Sequence, residues 1–174
     1  METNGIIRRI DDLGRIVIPR EFRRLHGIDV GDPMEINATN DGEIIIKKAD
    51  TSEELKKIAK KVAGAATEEL SGTLLVCDFS SWLVGFGPQR GDFAGKPVAP
   101  RVEKLIRARE TFTDGDDELF GISDGDAHTA VFPAVADGDC FGGIGYISVG
   151  PITKEEFSIL GIVSKIIGEL MKKY

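Results

Sequence analysis

Six arginines stand close together near the start of the chain, in residues 5–26 (GIIRRIDDLGRIVIPREFRRLH). Only three acidic residues accompany them, so the stretch has a local net charge of +3 in a chain whose formal net charge is -7. The planar guanidinium of arginine can hold a phosphate or a guanine edge through two parallel hydrogen bonds, which lysine cannot do. The stretch therefore offers the chemistry of polyanion binding, and its arginines are Arg8, Arg9, Arg15, Arg20, Arg23 and Arg24.

Each of these arginines, taken singly, has an ordinary alternative as a solvated charge on an amphipathic turn. Six together with so few compensating acids favour a binding surface instead. The chain as a whole is acidic, with a sequence pI near 4.9, which argues against indiscriminate attraction to nucleic acid. Contact with a nucleic acid is therefore expected through a local patch, and selectively.

A hairpin is predicted to carry the first three arginines. The segment Asp11-Asp12-Leu13-Gly14 separates two apolar runs, and reversing turns select Asx residues followed by glycine because glycine tolerates positive φ. We expect short strands at about residues 6–10 and 15–18, with Arg8 and Arg15 near the turn.

A brief helix is predicted to carry the other three arginines, Arg20, Arg23 and Arg24. Pro19 suits the first position of a helix, because its φ is fixed near the helical value and it needs no amide partner, and Gly27 can end the helix. At about 100° per residue, the three arginines share one side while Phe22 and Leu25 lie opposite. The helix should therefore bury one face and present guanidinium groups on the other.

Two further strands are expected at Met34–Ala38 and Glu43–Lys48, joined by the turn Asn40-Asp41-Gly42. Acidic residues are frequent in this part of the chain. We therefore expect it to face away from a polyanion.

The string GIIRRIDDLGRIVIPREFRRLHGIDVGDPMEI resembles the DNA-binding domain of the AbrB family of transition-state regulators, without a gap over about residues 5–48. The resemblance implies a swapped-hairpin dimer, in which strands of two chains interlock into one small β-barrel that binds double-stranded DNA. The family's DNA-contacting arginines correspond to Arg8, Arg15, Arg23 and Arg24, while Arg9 and Arg20 occupy neighbouring basic positions. Where the family often has threonine and leucine after the paired arginines, this chain has Leu25 and His26.

Elementary physics also favours a dimer for this part of the chain. A unit of about 50 residues with four short strands buries little apolar surface and leaves strand edges open. Sharing strands between two chains removes both problems. It also doubles the basic patch.

A domain boundary is expected near residue 50, between an N-terminal domain of residues 1–50 and a second domain of residues 51–174. Thr51 followed by Glu54 has the spacing of a capping box, and apolar residues then recur at the 3, 4 spacing of an amphipathic helix. This linking helix, at about residues 51–71, is expected at a subunit contact as well as against its own domain.

The second domain is predicted to contain, in order, a helix, two strands, a helix, a strand pair and a closing helix. The strand pair flanks Asp137-Gly138-Asp139, a strong hairpin signal. The closing helix is expected at about residues 154–173, with Gly168 outside its apolar stripe. This order resembles a GAF domain, as do Pro133 before the hairpin and the glycines that follow it, Gly142, Gly143 and Gly145. The fold class is therefore α+β: a swapped-hairpin β-barrel followed by a GAF-like α/β sandwich. The resemblance implies a module for small-molecule sensing or dimerisation.

A ligand pocket in the second domain is conceivable between the sheet and its loops. Four aromatic residues are the candidates to line it: Trp82, Phe86, Phe93 and Phe120. The alternative is that these aromatics form ordinary core. Polar residues that would specify a small-molecule effector are not evident.

No residue set in the sequence points to catalysis, a cofactor or a metal. His26 and His128 lie outside any recognisable nucleophile or metal constellation, and Cys77 and Cys140 lack metal-ligand spacing. The acidic segment at residues 111–126 is more typical of a solvated, mobile loop than of a metal site. The prediction is a protein that is not an enzyme.

The location of the protein is predicted to be cytoplasmic and nucleoid-associated. No run approaches the roughly 20 apolar residues that span a bilayer, and the first residues lack the basic and then apolar pattern of a signal peptide.

The functional hypothesis is a homodimeric or homotetrameric transcription regulator of sporulation genes, able to activate some and repress others. Its N-terminal barrel would bind DNA, and its GAF-like domain would sense an unknown small-molecule effector or support assembly. Two alternatives remain: an antitoxin of the swapped-hairpin class, and a ligand-sensing module whose arginines only hold subunits together.

Overall fold

The structure of the chain is a computed structural model that describes residues 5–88, 91, 93–114, 120 and 127–174, without the side chain of Asp114. The chain divides into two units, Met1–Ala49 and Asp50–Tyr174. Most of the acidic segment that was expected to be mobile, residues 111–126, lies outside the described residues.

The N-terminal unit contains one short helix and one β-hairpin. Helix α1 spans Arg20–Leu25, directly after Pro19, and strands β1 (Met34–Ala38) and β2 (Ile44–Lys48) pair antiparallel. Gly27 follows the helix at a φ of 61° and Gly42 stands in the hairpin turn at a φ of 83°, both left-handed values that glycine adopts without a steric penalty. The predicted helix and hairpin are thus confirmed.

The segment before α1 differs from the prediction. The turn at residues 11–14 is present: the Gly14 N–H donates to the Asp11 carbonyl at 2.9 Å and the Asp11 N–H donates to the Arg15 carbonyl at 3.1 Å. The strands expected at residues 6–10 and 15–18 are wrong for the single chain, which has no strand in either range. A strand needs a hydrogen-bonding neighbour along its length, and here the two arms are joined only next to the turn.

Apolar side chains of the N-terminal unit have no interior to enter. Among the described residues 5–49, no apolar residue is buried, and Ile7 and Val17 are 93% and 74% exposed. Twelve large apolar residues of this unit are exposed: Ile6, Ile7, Ile10, Leu13, Ile16, Val17, Leu25, Val30, Ile36, Ile44, Ile45 and Ile46.

The second unit is a five-stranded antiparallel sheet with helices on both faces. Its elements are α2 (Ser52–Ala66), a 3-10 turn (Thr67–Glu69), β3 (Thr73–Cys77), β4 (Trp82–Phe86), α3 (Pro100–Ala108), β5 (Phe112–Asp114), β6 (His128–Ala136), β7 (Asp139–Ser148) and α4 (Lys154–Met171). The strand order is β4-β3-β7-β6-β5. This α/β sandwich matches the predicted element order except for β5, an edge strand at the start of the segment that was expected to be a loop.

Strand β3 shows how the sheet divides the core. All five of its residues are buried. Leu74 and Val76 pack with α2 and α4 on one face, while Leu75 and Cys77 pack with α3 on the other. A central strand covered on both faces accordingly has a continuous apolar run, here residues 74–77 (LLVC).

The hairpin between β6 and β7 confirms the turn predicted from Asp137-Gly138-Asp139. Asp137 and Gly138 have φ values of 50° and 90°, the positive values that a two-residue turn with the twist of its flanking strands requires.

Two details of the helices were predicted wrongly. Thr51 precedes α2 without a side-chain capping bond, whereas a complete capping box joins Thr153 and Glu156 at the start of α4. Gly168, expected on the exposed side of α4, is buried, and a Cβ there would stand 2.7 Å from the Val135 carbonyl oxygen. The closing helix needs glycine at this point because it packs directly on the backbone of β6.

None of the described helices is long and apolar enough to span a membrane.

Candidate nucleic-acid interface

The arginines of α1 occupy a helix of six residues. Arg20 and Arg24 are exposed and Arg23 is half-buried, while Phe22 is half-buried. Leu25, expected on the buried side, is 78% exposed in the single chain. The helix therefore presents cationic groups, and its apolar side chains, Phe22 and Leu25, remain partly exposed to solvent in the single chain.

The arginines on either side of the turn at residues 11–14 are all exposed: Arg8, Arg9 and Arg15. Arg8 and Arg9 precede the turn at residues 11–14 and Arg15 follows it. The structure thus distributes the six predicted residues over two short segments of one unit. Contacts with DNA by these residues stay a prediction.

Arg15 is the one predicted arginine with an ion pair to a described residue of its own chain. Its Nε donates to Asp11 Oδ2 at 2.8 Å, and the Asp11 Oδ1 accepts from the backbone N–H groups of Arg15 at 2.8 Å and Leu13 at 3.0 Å. These bonds, first those from the Arg15 backbone and then those from its side chain, lower the pKa of Asp11. Asp11 is therefore an ionised group that fixes both the turn and a guanidinium.

The other five arginines form no ion pair with any residue that the structure describes: Arg8, Arg9, Arg20, Arg23 and Arg24. Their positive charge is thus not neutralised by described carboxylates of the same chain. An anion that approaches them gains charge-assisted hydrogen bonds without displacing an internal partner.

The segment after α1 is held to β2 by two residues that have no recognisable signal in the sequence, Lys48 and Asp32. Lys48 Nζ lies 2.8 Å from Asp32 Oδ2, whose side chain is fully buried, and 3.3 Å from the carbonyl oxygen of Gly27. The same Asp32 oxygen accepts the Asp29 N–H at 2.8 Å. Lys48 therefore links the end of β2 to Gly27, the second residue after α1. Residues so far apart in sequence give no spacing signal.

An apolar cavity of about 430 Å³ opens between α1 and the β-hairpin. Its lining includes Ile18, Phe22, His26, Ile28, Ile44 and Ile46. A cavity of this composition can accept apolar side chains of another segment.

Three of the four aromatics predicted to line a ligand pocket come together in the second unit. Trp82 stacks on Phe120 with ring centroids 5.4 Å apart, and Phe93 meets both rings edge-on at 6.3 and 6.4 Å. All three are buried. Trp82 and Phe120 pack over Gly145, where a Cβ would stand 2.5 Å from the Phe120 ring and 2.7 Å from the Trp82 ring. Such packing fits the alternative of ordinary core, and a ligand pocket stays a prediction.

Phe86 lies on the opposite face of the sheet. Val76 pairs with Val84, but Cys77 pairs with Trp82, so Leu83 is an extra residue in β4 and forms a β-bulge. The bulge reverses the alternation of side chains, and Phe86 packs toward Gly64 of α2 instead of joining Trp82. Simple alternation would have placed both rings on one face.

The two cysteines offer no reactive thiolate. Burial raises the pKa of the Cys77 thiol well above its usual value, and partial burial raises the pKa of Cys140. In the described part of the chain, no group of three or more His, Cys, Asp and Glu side chains is placed to hold a metal. The prediction that the chain is not an enzyme stays a prediction.

Comparison with known proteins assigns both units to families. Residues 54–172 match the family described as stage V sporulation protein T C-terminal, transcription factor. Residues 7–54 match the family described as antidote-toxin recognition MazE, bacterial antitoxin. The match to the transcription factor family covers more than half of the chain.

Two relatives in Bacillus subtilis (strain 168) agree with this assignment. The chain is 36% identical to stage V sporulation protein T over 148 residues, 83% of each protein. It is 50% identical to the transition state regulatory protein AbrB over 48 residues, 28% of this chain and 49% of that protein.

A solved structure supports the fold of the second unit. The GAF domain/HD domain protein from Geobacter sulfurreducens superposes with a TM-score of 0.55 at 11% identity, over 71% of this chain and 97% of that one. At this identity the match concerns the fold alone. The predicted GAF-like sandwich and the predicted AbrB-type N-terminal domain are confirmed.

The fold and the family matches define a two-part transcription regulator, an AbrB-type unit followed by a GAF-like unit. The chain belongs to the stage V sporulation protein T family of transcription factors.

Proposed function

We propose that this protein regulates sporulation genes by binding double-stranded DNA as a homodimer or homotetramer through the arginines of its N-terminal unit. The observation that carries the proposal is the combination, in residues 5–49, of five arginines without an ion pair to a described residue and an apolar surface without an interior. The unpaired arginines favour binding of a polyanion, and the exposed apolar surface favours association with another copy of the chain.

The apolar surface supports the dimer. Burial of apolar area contributes about 25 cal/mol per Å², so the exposed isoleucines and valines of the hairpin arms represent a large unused driving force. The arms at residues 6–10 and 15–18 also lack the strand neighbour that their composition favours. If the arms of a second copy were inserted beside β1 and β2, the arms would gain a strand neighbour and their apolar side chains would be buried. Their apolar side chains would enter the cavity lined by Phe22 and Ile46.

The dimer would bring two sets of arginines together. Each arginine that contacts a phosphate releases condensed counterions, so affinity should fall steeply with salt. The acidic remainder of the chain would repel DNA, which restricts binding to this surface. Recognition is expected to depend on base edges and on DNA shape. Such a protein would be cytoplasmic and associated with the nucleoid.

The GAF-like unit would support assembly or sense a small-molecule effector. Helix α4 exposes Ile162 and Ile166, four residues apart and thus on one side of the helix. A second contact between copies at this stripe would turn dimers into tetramers. The antitoxin alternative is disfavoured, because residues 50–174 form a packed sheet with a core of their own in place of a disordered toxin-binding tail.

Fluorescence-anisotropy titration tests the proposal with short duplexes enriched by the wild-type protein from a random DNA pool. Arg23→Ala and Arg24→Ala should each weaken binding by tenfold or so, as expected for the loss of a charge-assisted contact. The matched control is Lys104→Ala, which removes an exposed positive charge from α3 of the second unit. Size-exclusion chromatography should show all variants at the wild-type size.

Equal titrations for the wild type and both arginine variants would contradict the DNA-binding surface. Failure of the wild type to enrich any duplex, together with a metabolite that raises the melting temperature, would favour the ligand-sensing alternative.

A further inference from the structure

The bond between Asp11 and Arg15 distinguishes this arginine from the other five. A carboxylate beside a guanidinium is unfavourable where a phosphate must bind, because it neutralises the cation and repels the anion. The structure nevertheless holds Asp11 Oδ2 at 2.8 Å from Arg15 Nε, in a stretch, residues 5–26, whose net charge is +3.

The geometry of this bond leaves part of Arg15 available. The carboxylate engages Nε, and the two terminal nitrogens have no hydrogen-bond partner among the described residues. These two nitrogens are the pair that forms a fork with the O6 and N7 atoms of guanine. The Arg15 side chain is 71% exposed, so its terminal end is accessible.

The carboxylate is itself held in place. Asp11 Oδ1 accepts two backbone N–H groups across the turn, from Leu13 and Arg15. These bonds lower the pKa of Asp11, so the carboxylate stays charged at neutral pH. Arg15 is therefore oriented by a group that the backbone has already fixed, which lowers the entropy lost when the guanidinium binds.

We propose that Asp11 is a positioning residue for DNA recognition, which holds Arg15 for a base edge and leaves phosphate binding to the unpaired arginines. The inference rests on the proposed DNA-binding function. It assigns selectivity to Arg15 and general affinity to residues such as Arg23 and Arg24. Asp11 contributes by orienting Arg15, and its negative charge repels a phosphate that would otherwise bind Arg15 instead of the base.

Asp11→Asn tests the inference with little change in shape. The asparagine Oδ1 can still accept the two turn N–H groups, but its amide nitrogen cannot accept from Arg15 Nε. Asp12→Asn is the matched control, because it removes the same charge from the neighbouring exposed position. Binding is measured by anisotropy with two probes, a duplex selected from a random pool by the wild type and a scrambled duplex of the same composition.

Both variants should bind the scrambled duplex more tightly than the wild type, since each has lost a negative charge. Asp12→Asn should improve binding to the selected duplex by the same factor and so keep selectivity. Asp11→Asn should reduce the ratio of the two affinities by about tenfold, the loss expected for one bidentate base contact. Equal selectivity in Asp11→Asn and Asp12→Asn would overturn the inference.

Arg15→Lys provides a second test that leaves the Asp11 turn intact. It keeps the charge but removes the fork, so selectivity should fall while the affinity for the scrambled duplex is retained. The double variant Asp11→Asn/Arg15→Lys should lose no more selectivity than Arg15→Lys alone, because the two residues act as one unit. Additive losses would contradict the inference.

The salt dependence separates this inference from the proposed function. Arg23→Ala should flatten the slope of log affinity against log salt by about one unit on both probes, whereas Arg15→Lys should leave the slope unchanged. If Arg23→Ala has this effect and Asp11→Asn behaves like Asp12→Asn, the inference alone is wrong. If Arg23→Ala changes neither affinity nor slope, the DNA-binding proposal is wrong, and the inference is overturned with it.

Discussion

The hydroxyl of Tyr146 in β7 donates a hydrogen bond to the Glu156 carboxylate in α4 at 2.6 Å. The same Glu156 oxygen accepts from Ser71 Oγ at 2.7 Å, and the Tyr146 oxygen accepts the Gly72 N–H at 2.7 Å. The second Glu156 oxygen closes the capping box with Thr153. A single buried carboxylate thus joins the sheet, the segment before β3 and the closing helix.

Tyr146→Phe should destabilise the second unit by about 1–3 kcal/mol, because the buried Gly72 N–H loses its acceptor and Glu156 loses a donor. Urea unfolding followed by circular dichroism measures the change. Tyr174→Phe, at an exposed residue near the end of α4, is the control and should leave the curve unchanged. Coincident curves for Tyr146→Phe and the wild type would show that this network contributes little to stability.

The acid sensitivity of the second unit should depend on Glu156. Burial alone would raise the pKa of this carboxyl, but hydrogen bonds from Tyr146, Thr153 and Ser71 lower it to about 2, from an ordinary value of 4.5. A depressed folded-state pKa contributes stability that is fully present above pH 4.5 and is lost as the pH falls toward 2. Glu156→Gln should therefore be less stable than the wild type at neutral pH, with the difference narrowing between pH 4.5 and 2. Urea midpoints measured across this range test the expectation, and a difference independent of pH would contradict it.

The Lys48–Asp32 ion pair should matter more than the exposed Lys47–Glu35 pair on the same hairpin. Asp32→Ala removes a fully buried carboxylate that accepts from Lys48 and the Asp29 N–H, so the N-terminal unit should lose about 1–3 kcal/mol of stability. Glu35→Ala breaks a pair between half-exposed side chains at 3.1 Å and should cause a much smaller loss. Hydrogen exchange of β1 and β2 amides measures both. Equal protection in the two variants would refute this ranking.

Gly145 should be intolerant of a side chain. A Cβ would stand 2.5 Å from Phe120 and 2.7 Å from Trp82, so Gly145→Ala should cost about 1–3 kcal/mol through displacement of the stacked rings. Trp82 is the single tryptophan of the chain, and its fluorescence reports the displacement directly. Gly150→Ala, where no atom lies within 4 Å of the new Cβ, is the control. An unchanged emission spectrum and an unchanged stability in Gly145→Ala would show that the new Cβ does not displace the rings.

Sequence reasoning was most successful where one local cause decides the structure. The turns at residues 11–14 and 137–138 follow from Asx and glycine residues that accept positive φ. Their positions could be predicted without knowledge of distant contacts. The bounds of α1 likewise follow from Pro19 before the helix and Gly27 after it.

Sequence reasoning failed where a distant partner or a small irregularity decides. The bulge at Leu83 places Phe86 on the face opposite Trp82, and the residue types of β4 do not predict a bulge. The arms at residues 6–10 and 15–18 have strand composition, yet a strand also needs a neighbour, which the single chain does not provide. The Asp11–Arg15 bond has no signature of its own in the sequence, because the turn and the polyanion contact already account for the two residue types.

The N-terminal unit has no buried apolar residue among residues 5–49, so in the proposed dimer its folding would depend on protein concentration. Two chains would have to associate before this unit is complete. Dilution would therefore unfold the N-terminal unit while the GAF-like unit stays folded. Occupancy of a promoter would then rise more steeply than the concentration of the protein. The N-terminal unit of a newly made chain would be susceptible to proteolysis until the chain dimerises.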